Sequence, residues 1–237
     1  MKKITLSAAA IVTTSILVAA GASAHVSANP AVGVANVSQE ITLQIGHGCG
    51  IPNVVPETNT DTNSLTVDIP AGVTSVRAVS STDFPSLTVT KNGSGAVTSI
   101  TWAKVPGTEL AADTNFYKLT LRAKLPNLPF TKVYFKAHQV CKAPGKTAEW
   151  IGTPTENVGE EPAAEVTVLP VKAPGWNKYT VPVAVADLSV FFKDAQIVWK
   201  GSAAYSANAV IAEQIKSEAG VTALTALTAN DEIFVKW

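Results

Sequence analysis

The sequence predicts a mainly β protein, an immunoglobulin-like antiparallel β-sandwich followed by a small C-terminal α+β extension. Two observations predict this class. From Val37 to Val168, short segments of alternating apolar and polar residues are separated by turn residues. After Ala173-Pro174-Gly175 the pattern changes and includes one helical segment. We therefore divide the 237 residues into an export segment (1–24), a sandwich domain (25–172) and a small C-terminal domain (173–237).

The first 24 residues have the features of a cleaved export signal. Lys2 and Lys3 precede an apolar run from Ile4 to Ala20, and Ala22-Ser23-Ala24 has the small-x-small pattern that signal peptidase recognises. The run is shorter and richer in Ser and Thr than a membrane anchor, and no second such run follows. The sequence predicts a mature chain that begins at His25, has no membrane anchor, and is periplasmic or, alternatively, secreted. An uncleaved anchor helix is the other interpretation.

The strand predictions rest on period-two alternation in segments rich in Thr, Val and Ile. The main predicted strands are Ile41–Ile45, Ser64–Ile69, Leu87–Thr90, Val97–Trp102, Tyr117–Arg122 and Lys132–Ala137. Asn92-Gly93 predicts a hairpin turn. The segment Pro154–Ala164, rich in Pro, Glu and Gly, predicts a surface loop, and Glu165–Leu169 predicts a strand that closes the sandwich.

The C-terminal domain is predicted to combine strands with one helix. Strand-like segments are Trp176–Val185, Ile197–Trp199 and Glu232–Trp237. Ala209–Glu218 predicts a helix because Val210, Ile211 and Ile215 have helical spacing, Asn208 or Ser206 can cap its start, and Gly220 follows its end.

Composition and charge exclude several classes of function. The chain has 18 basic and 18 acidic residues, and loss of Lys2 and Lys3 leaves 16 basic residues in the mature form. This near-neutral balance predicts no nucleic-acid partner and no polybasic membrane contact. The sequence contains no Gly-rich phosphate loop, no G-x-S-x-G elbow, no H-E-x-x-H and no Cys-x-x-Cys. It therefore predicts a protein that is not an enzyme.

The two cysteines, Cys49 and Cys141, predict a disulfide because the chain is predicted to be exported. A bridge between them would close a loop of about 90 residues and contribute about 4–5 kcal/mol to stability on the chain-entropy model. A thiolate metal site is the alternative, since Cys49 lies two residues from His47 and Cys141 three residues from His138.

A mature chain that starts with His25 presents two nitrogen donors from one residue. The free α-amine and the ring Nδ1 can close a chelate on a single metal ion, and the amine loses its proton easily near neutral pH. Among divalent first-row ions, Cu²⁺ binds such nitrogen sites most tightly. A thioether Cu(I) site of the Met-rich kind is excluded because the only methionine is Met1.

Several segments of the mature chain resemble the YcnI-like (DUF1775) family. The resembling segments are His25–Pro30 (the family's HV-T-x-x-P start), Glu40–Ile45, Gly46–Cys49, Ser64–Val73 and His138–Gly152, within about residues 25–170. The resemblance implies an exported β-sandwich protein that binds Cu²⁺ through a mono-histidine brace. Such a brace consists of the amine and imidazole of the first residue, a carboxylate, and a tryptophan close by.

By this resemblance, His25 matches the brace histidine and Trp150 matches the tryptophan. We expect Trp150 to line or shield the site, since an indole N–H is a donor only. Glu40 is the first candidate for the carboxylate, although the register around it differs by one residue from the family pattern. Glu149 is the second candidate. His47 is an alternative imidazole ligand or a loop residue beside the cysteine bridge, whereas His138 is predicted to be structural.

The resulting expectation is a copper(II)-binding protein for trafficking, buffering or delivery outside the cytoplasm. Its partners would be the copper ion and another copper chaperone or a membrane copper transporter. Two alternatives stay open. One is a β-sandwich module with a structural or interaction role and no metal. The other is a copper mono-oxygenase, which would require His47 or His138 to reach His25 in space.

Overall fold

The computed structural model describes residues 25–50, 59–110, 115–142 and 146–237. The predicted export segment, residues 1–24, lies outside the described residues. The described part of the chain contains no helix long and apolar enough to cross a membrane.

The described residues between 25 and 169 form fifteen short strands. They are β1 (Ser27–Asn29), β2 (Val32–Val34), β3 (Ser38–Ile45), β4 (Cys49–Gly50), β5 (Asn59–Thr60), β6 (Thr62–Asp68), β7 (Thr74–Ala78), β8 (Ser86–Lys91), β9 (Val97–Ala103), β10 (Tyr117–Lys124), β11 (Thr131–Phe135), β12 (Ala137–Cys141), β13 (Thr147–Gly152), β14 (Glu161–Pro162) and β15 (Ala164–Leu169).

These strands form a β-sandwich, which confirms the predicted fold class. One layer is the four-stranded sheet β1-β3-β10-β7, and the other contains the six-stranded sheet β14-β13-β12-β6-β9-β8. A three-stranded sheet, β11-β15-β2, joins the second layer because β11 and β12 are interrupted only at Lys136. All neighbours are antiparallel except β13–β14 and β15–β2.

The core lies where the inner faces of these sheets meet, because alternate residues of each strand point to the same side. One continuous cluster contains the buried apolar residues Ile41, Leu43, Leu119 and Leu121 from the first layer and Leu65, Val67, Ile100, Trp102, Phe135 and Val166 from the second. The alternation that predicted these strands therefore marks the faces that the sandwich buries.

Two strand predictions differ from the structure in an informative way. The predicted strand Leu87–Thr90 lies within β8, but β8 is an edge strand whose residues are all exposed, so its alternation does not mark a buried face. The predicted strand Lys132–Ala137 is broken at Lys136, whose carbonyl accepts a hydrogen bond from the Asp68 N–H. Because of this break, β11 belongs to the three-stranded sheet, whereas β12 belongs to the six-stranded sheet.

The remaining part of the chain forms a five-stranded sheet with two helices. The elements are β16 (Trp176–Thr180), α1 (Ser189–Phe192), β17 (Ile197–Lys200), β18 (Ala203–Tyr205), α2 (Ala209–Ser217), β19 (Thr222–Ala223) and β20 (Glu232–Lys236), and the sheet order is β16-β20-β17-β18-β19. A second apolar cluster underlies this sheet, and Phe130 of the sandwich belongs to it.

The helix α2 forms where the sequence predicts it. The Asn208 side chain caps its start by accepting hydrogen bonds from the N–H groups of Val210 and Ile211, at 2.9 and 3.4 Å. Gly220 follows the helix with a φ of +80°, in the left-handed region that favours glycine. Only Ile215 is buried, whereas Val210 is 68% exposed, so the helix packs against the sheet along a narrower stripe than its apolar spacing predicts.

Cys49 and Cys141 form a disulfide, which confirms the pairing predicted from the sequence. The bridge joins β4 to the end of β12 across 92 residues of sequence, and neither cysteine is free for a thiolate metal site. It therefore fixes the loop that carries His47 to the six-stranded sheet.

Candidate metal centre

His25 and Glu161 are brought together by two short strands at one end of the sandwich. His25 precedes β1, which pairs with β3 so that Ser27 lies opposite Gln44. Glu161 begins β14, which pairs with β13 in parallel so that Glu161 lies beside Trp150. The Nδ1 atom of His25 lies 3.0 Å from the Oε2 atom of Glu161.

The Nδ1 atom of His25 is the polar atom in this region whose bonding is incomplete. It is buried and makes no hydrogen bond, although the Glu161 oxygen satisfies the distance of an ion pair. The two observations agree if the carboxylate lies near the nitrogen but off the direction in which a ring N–H would point. With metal–ligand bonds of about 2.1 Å, donor atoms at this separation would subtend an angle of about 90° at a metal ion. Neighbouring ligands of a tetragonal Cu²⁺ site have this relation.

Trp150 forms the wall of the site. Its indole ring is 4% exposed and packs edge-on against the rings of both His25 and His47, with centroid distances of 5.7 and 5.8 Å. The indole faces the sandwich interior while Glu149, the preceding residue on β13, faces the opposite side. Trp150 therefore shields the His25 pair from one side without supplying a ligand.

Gln139 holds Trp150 in place from inside the core. This fully buried side chain accepts a hydrogen bond from the Trp150 Nε1–H at 2.9 Å. Its Nε2 donates to the His47 carbonyl and to the Thr62 hydroxyl, at 2.9 and 2.8 Å. Because one amide joins the indole to the His47 loop, the position of Trp150 depends on that loop and on the nearby disulfide.

A shallow cleft of about 500 Å³ opens beside His25. Its walls are mostly apolar and include Val26, Tyr134, Pro154, Val158 and Pro162. The cleft gives the histidine side of the site access to solvent, since the His25 and Glu161 side chains are 36% and 58% exposed. An ion held by this pair would lie at the surface rather than in a closed cavity.

The structure does not bring the other predicted ligands to His25. Glu40 lies on β3, opposite Arg122 of β10. It precedes Gln44, the β3 residue that pairs with Ser27, by four residues, so these two positions of β3 are about 13 Å apart. His25 lies beyond the Gln44 end of β3, away from Glu40. Glu149 instead forms an ion pair with His138 on the outer face of the sheet. Of Glu40, Glu149 and Glu161, the structure therefore brings only Glu161 to His25.

His47 lies beside the site, but its Nδ1 is directed at the carbonyl of Gly48. A Cβ at Gly48 would lie 1.7 Å from the Thr60 carbonyl oxygen, so only glycine lets this loop approach β5 so closely. His47 therefore has the surroundings of a loop residue next to the cysteine bridge, one of the two predicted alternatives. Among the described residues, no three His, Cys, Asp or Glu side chains form a metal-binding group.

Sequence reasoning missed Glu161 and Gln139. Glu161 lies in the Pro154–Ala164 segment, which composition assigns to a surface loop, and it reaches His25 only because this loop returns to β13. Gln139 lies on β12, whose residues alternate between buried and more exposed positions. No feature of the sequence shows that its amide is one of the buried groups. The local feature that could have drawn attention to the Pro154–Ala164 segment is the pair of carboxylates, Glu160-Glu161, directly before Pro162.

We expect Gly152→Ala to weaken metal binding about tenfold by displacing Glu161. A Cβ at this position would lie 2.5 Å from the Glu160 carbonyl oxygen, so β14 must move away from β13. Isothermal titration of Cu²⁺ into the variant measures the change. Gly93→Ala is the matched control, because a Cβ there has nothing within 4 Å. Equal copper affinity in both variants would contradict the dependence of the site on the β13–β14 contact.

The fold and the site define a class: a β-sandwich with a histidine and a carboxylate next to a buried tryptophan. A family model described as "Domain of unknown function (DUF1775)" matches residues 25–168. Because this match covers more than half of the chain, the protein belongs to the DUF1775 family.

Among solved structures, the chain is similar to an uncharacterized protein from Nocardia farcinica that is described as having an immunoglobulin-like fold. The two share 23% sequence identity with a TM-score of 0.48, over 62% of this chain and 99% of the other. No curated protein matches the chain.

Proposed function

We propose that this protein binds Cu²⁺ outside the cytoplasm through a mono-histidine brace formed by His25 and Glu161. The observation that supports this most directly is the buried Nδ1 atom of His25, which has no hydrogen bond and lies 3.0 Å from the Glu161 carboxylate beside Trp150. The proposal retains the brace histidine and tryptophan predicted from the sequence and assigns the carboxylate to Glu161.

Export and processing supply the remaining donor. Cleavage after Ala24 would free the α-amine of His25, which closes a chelate with Nδ1 on one ion. The family match begins at His25, in agreement with a mature chain that starts there. The disulfide between Cys49 and Cys141 fits an oxidising compartment, because such bridges are rare in the cytosol. These grounds support export, and we propose the periplasm as the location, with secretion as the alternative.

The surface position of the pair favours trafficking or buffering over catalysis. His25 and Glu161 are both partly exposed, and a mostly apolar cleft adjoins them. A site with few protein ligands at the surface can release its ion to a partner that offers further donors. The partner would be another copper chaperone or a membrane copper transporter, and the cleft is the surface next to which it would dock.

The decisive experiment compares the mature chain, residues 25–237, with a form that carries one extra alanine before His25. Each protein receives one equivalent of Cu²⁺, and the EPR spectrum and affinity are recorded. We expect a nitrogen-rich tetragonal spectrum from the mature form and loss of that spectrum, with at least a hundredfold weaker binding, from the extended form. A hundredfold change corresponds to about 2.8 kcal/mol.

Equal spectra from the two forms would show that the amine is not a ligand and would contradict the proposed brace. Absence of binding in both forms would favour a β-sandwich module with a structural or interaction role. His47→Gln is a matched control, because this imidazole also contacts Trp150 but faces the Gly48 carbonyl. We expect that variant to retain the spectrum of the mature form.

A further inference from the structure

A second group of titratable side chains lies on the outer face of the six-stranded sheet. His138 on β12 lies opposite Glu149 on β13 and opposite Thr66 on β6, and Asp68 is two residues further along β6 on the same face. The Nδ1 of His138 contacts the Oε2 of Glu149, and its Nε2 lies 3.2 Å from the Oδ2 of Asp68. The three side chains are 37%, 42% and 49% exposed.

The hydrogen-bonding capacity of a neutral imidazole cannot satisfy both contacts. An ionised carboxylate only accepts hydrogen bonds, whereas a neutral histidine has one N–H donor and one acceptor nitrogen. If Nδ1–H donates to Glu149, the lone pair of Nε2 faces the Asp68 oxygen, and two acceptors meet. A positive charge between Nε2 and Asp68 removes this conflict, and it can be a proton or a metal ion.

Both positive species are favoured by the charges around the ring. Burial alone would lower the pKa of His138, but its hydrogen bonds to Glu149 and Asp68 and their negative charges raise the pKa above its ordinary value. The nearby Lys136 does not offset these charges at the ring, since its ammonium pairs with Glu156 at 2.6 Å. The group therefore carries a net negative charge when the imidazole is neutral.

We propose that His138 and Asp68 form a second binding site for a first-row divalent cation, with His138 Nε2 and Asp68 Oδ2 as its protein ligands. Glu149 acts as a positioning residue: by accepting the Nδ1–H bond it fixes the tautomer that directs the Nε2 lone pair towards Asp68. A carboxylate–histidine–metal arrangement of this kind recurs in protein metal sites.

The separation of the two donor atoms fits this assignment. With metal–ligand bonds of about 2.1 Å, atoms 3.2 Å apart subtend an angle of about 100° at the ion, between the tetragonal and tetrahedral values. Water completes the coordination, since Glu149 contacts the other ring nitrogen of His138 and not the space between Nε2 and Asp68. Such a site is weaker than the brace and exchanges its ion readily.

This site is independent of the brace. Glu149 and Trp150 are consecutive residues of β13 and point to opposite faces of the sheet, so the two sites lie on opposite sides of one layer. At this site the ion displaces the proton held between Nε2 and Asp68. We therefore expect affinity at the second site to fall as the pH is lowered, with protons and metal competing for the same nitrogen.

The test uses the mature chain with one equivalent of Cu²⁺ already bound and titrates it with Zn²⁺ at pH 7.5 by calorimetry. We expect one further ion to bind, and we expect His138→Gln and Asp68→Asn each to weaken this step at least tenfold. Glu149→Gln should weaken it by about 10–100-fold, the range for a residue that orients a ligand. The brace spectrum of the prebound copper should be unchanged in all three variants.

Asp83→Asn is the control, because it removes an exposed acidic residue on another part of the same domain. Circular dichroism establishes that each variant is folded. The same Zn²⁺ titration without copper counts the second site even if the brace does not form, so failure of one proposal is distinguishable from failure of the other. Zn²⁺ binding that is absent in the wild type, or unchanged by His138→Gln, would show that the group is an ion pair only.

Discussion

Replacing Lys104 with methionine should lower the free energy of unfolding by about 3–5 kcal/mol, the cost of leaving one partner of a buried ion pair alone. The Lys104 ammonium lies 2.5 Å from Asp61 Oδ2 and 2.6 Å from the Tyr117 hydroxyl, and the residues are 6%, 0% and 4% exposed. Methionine fills a similar volume but leaves the Asp61 carboxylate without its counter-charge. Urea unfolding followed by tryptophan fluorescence measures the change.

Three donors account for the ionised state of Asp61. Burial alone would raise the pKa of Asp61, but hydrogen bonds from Lys104, from the Leu110 N–H and from the Tyr117 hydroxyl outweigh it and hold the pKa below its ordinary value. A carboxyl with a lowered pKa in the folded state stabilises the protein above its unfolded pKa, and this contribution is lost as the pH falls through the folded value. Acid should therefore destabilise the wild type more than the methionine variant.

The double variant Lys104→Met with Asp61→Leu separates the cost of an unpaired charge from the loss of a favourable pair. Replacing both charges with apolar groups can be nearly neutral, so we expect the double variant to recover much of the stability that the single variant loses. A single variant as stable as the wild type would contradict the importance of this pair. Lys118→Met is the matched control, since Lys118 lies on the exposed side of β10.

The sequence predicts the sandwich well because burial of one strand face leaves a local pattern. In β3 and β10 the alternation of Ile41, Leu43, Leu119 and Leu121 with polar residues matches the buried and exposed faces of the structure. The signals of helix α2 are similarly local, since Asn208 caps its start and Gly220 follows its end. Strands and helices that are determined by residues within a short segment can therefore be predicted from the sequence.

The candidate site depends on contacts that no local pattern records. The sequence points to His25 because it follows a predicted cleavage signal, and to Trp150 because it lies in a segment that resembles the family. It does not point to Glu161, because the position of this residue follows from the return of a loop to β13 and from the space that Gly152 leaves there. Glu40 is the converse case: its position in the sequence resembles that of the family's carboxylate, but it lies on β3 four residues before Gln44, which pairs with Ser27.

Glu161→Gln should weaken Cu²⁺ binding by the mature chain by about 100-fold while leaving stability nearly unchanged. Changes to residues that only support a metal ligand cost about 10–100-fold in affinity, so loss of a ligand is expected to reach the upper end of that range. Glutamine keeps the size of the side chain but removes its negative charge, which the Cu²⁺ site needs for neutralisation. The Glu161 side chain is 58% exposed, so the fold does not depend on it.

Glu160→Gln is the control for this change, because it removes the same charge one residue away, at an exposed position directly before β14. A lowered affinity in both variants would mean that the site senses only the overall charge of the loop, whereas an effect confined to Glu161 would mean direct ligation. The EPR spectrum adds a second criterion, since replacement of an equatorial carboxylate alters the copper hyperfine splitting and a distant charge does not. If Glu161→Gln retains both the affinity and the spectrum of the wild type, the third ligand lies elsewhere and the brace is formed by His25 alone.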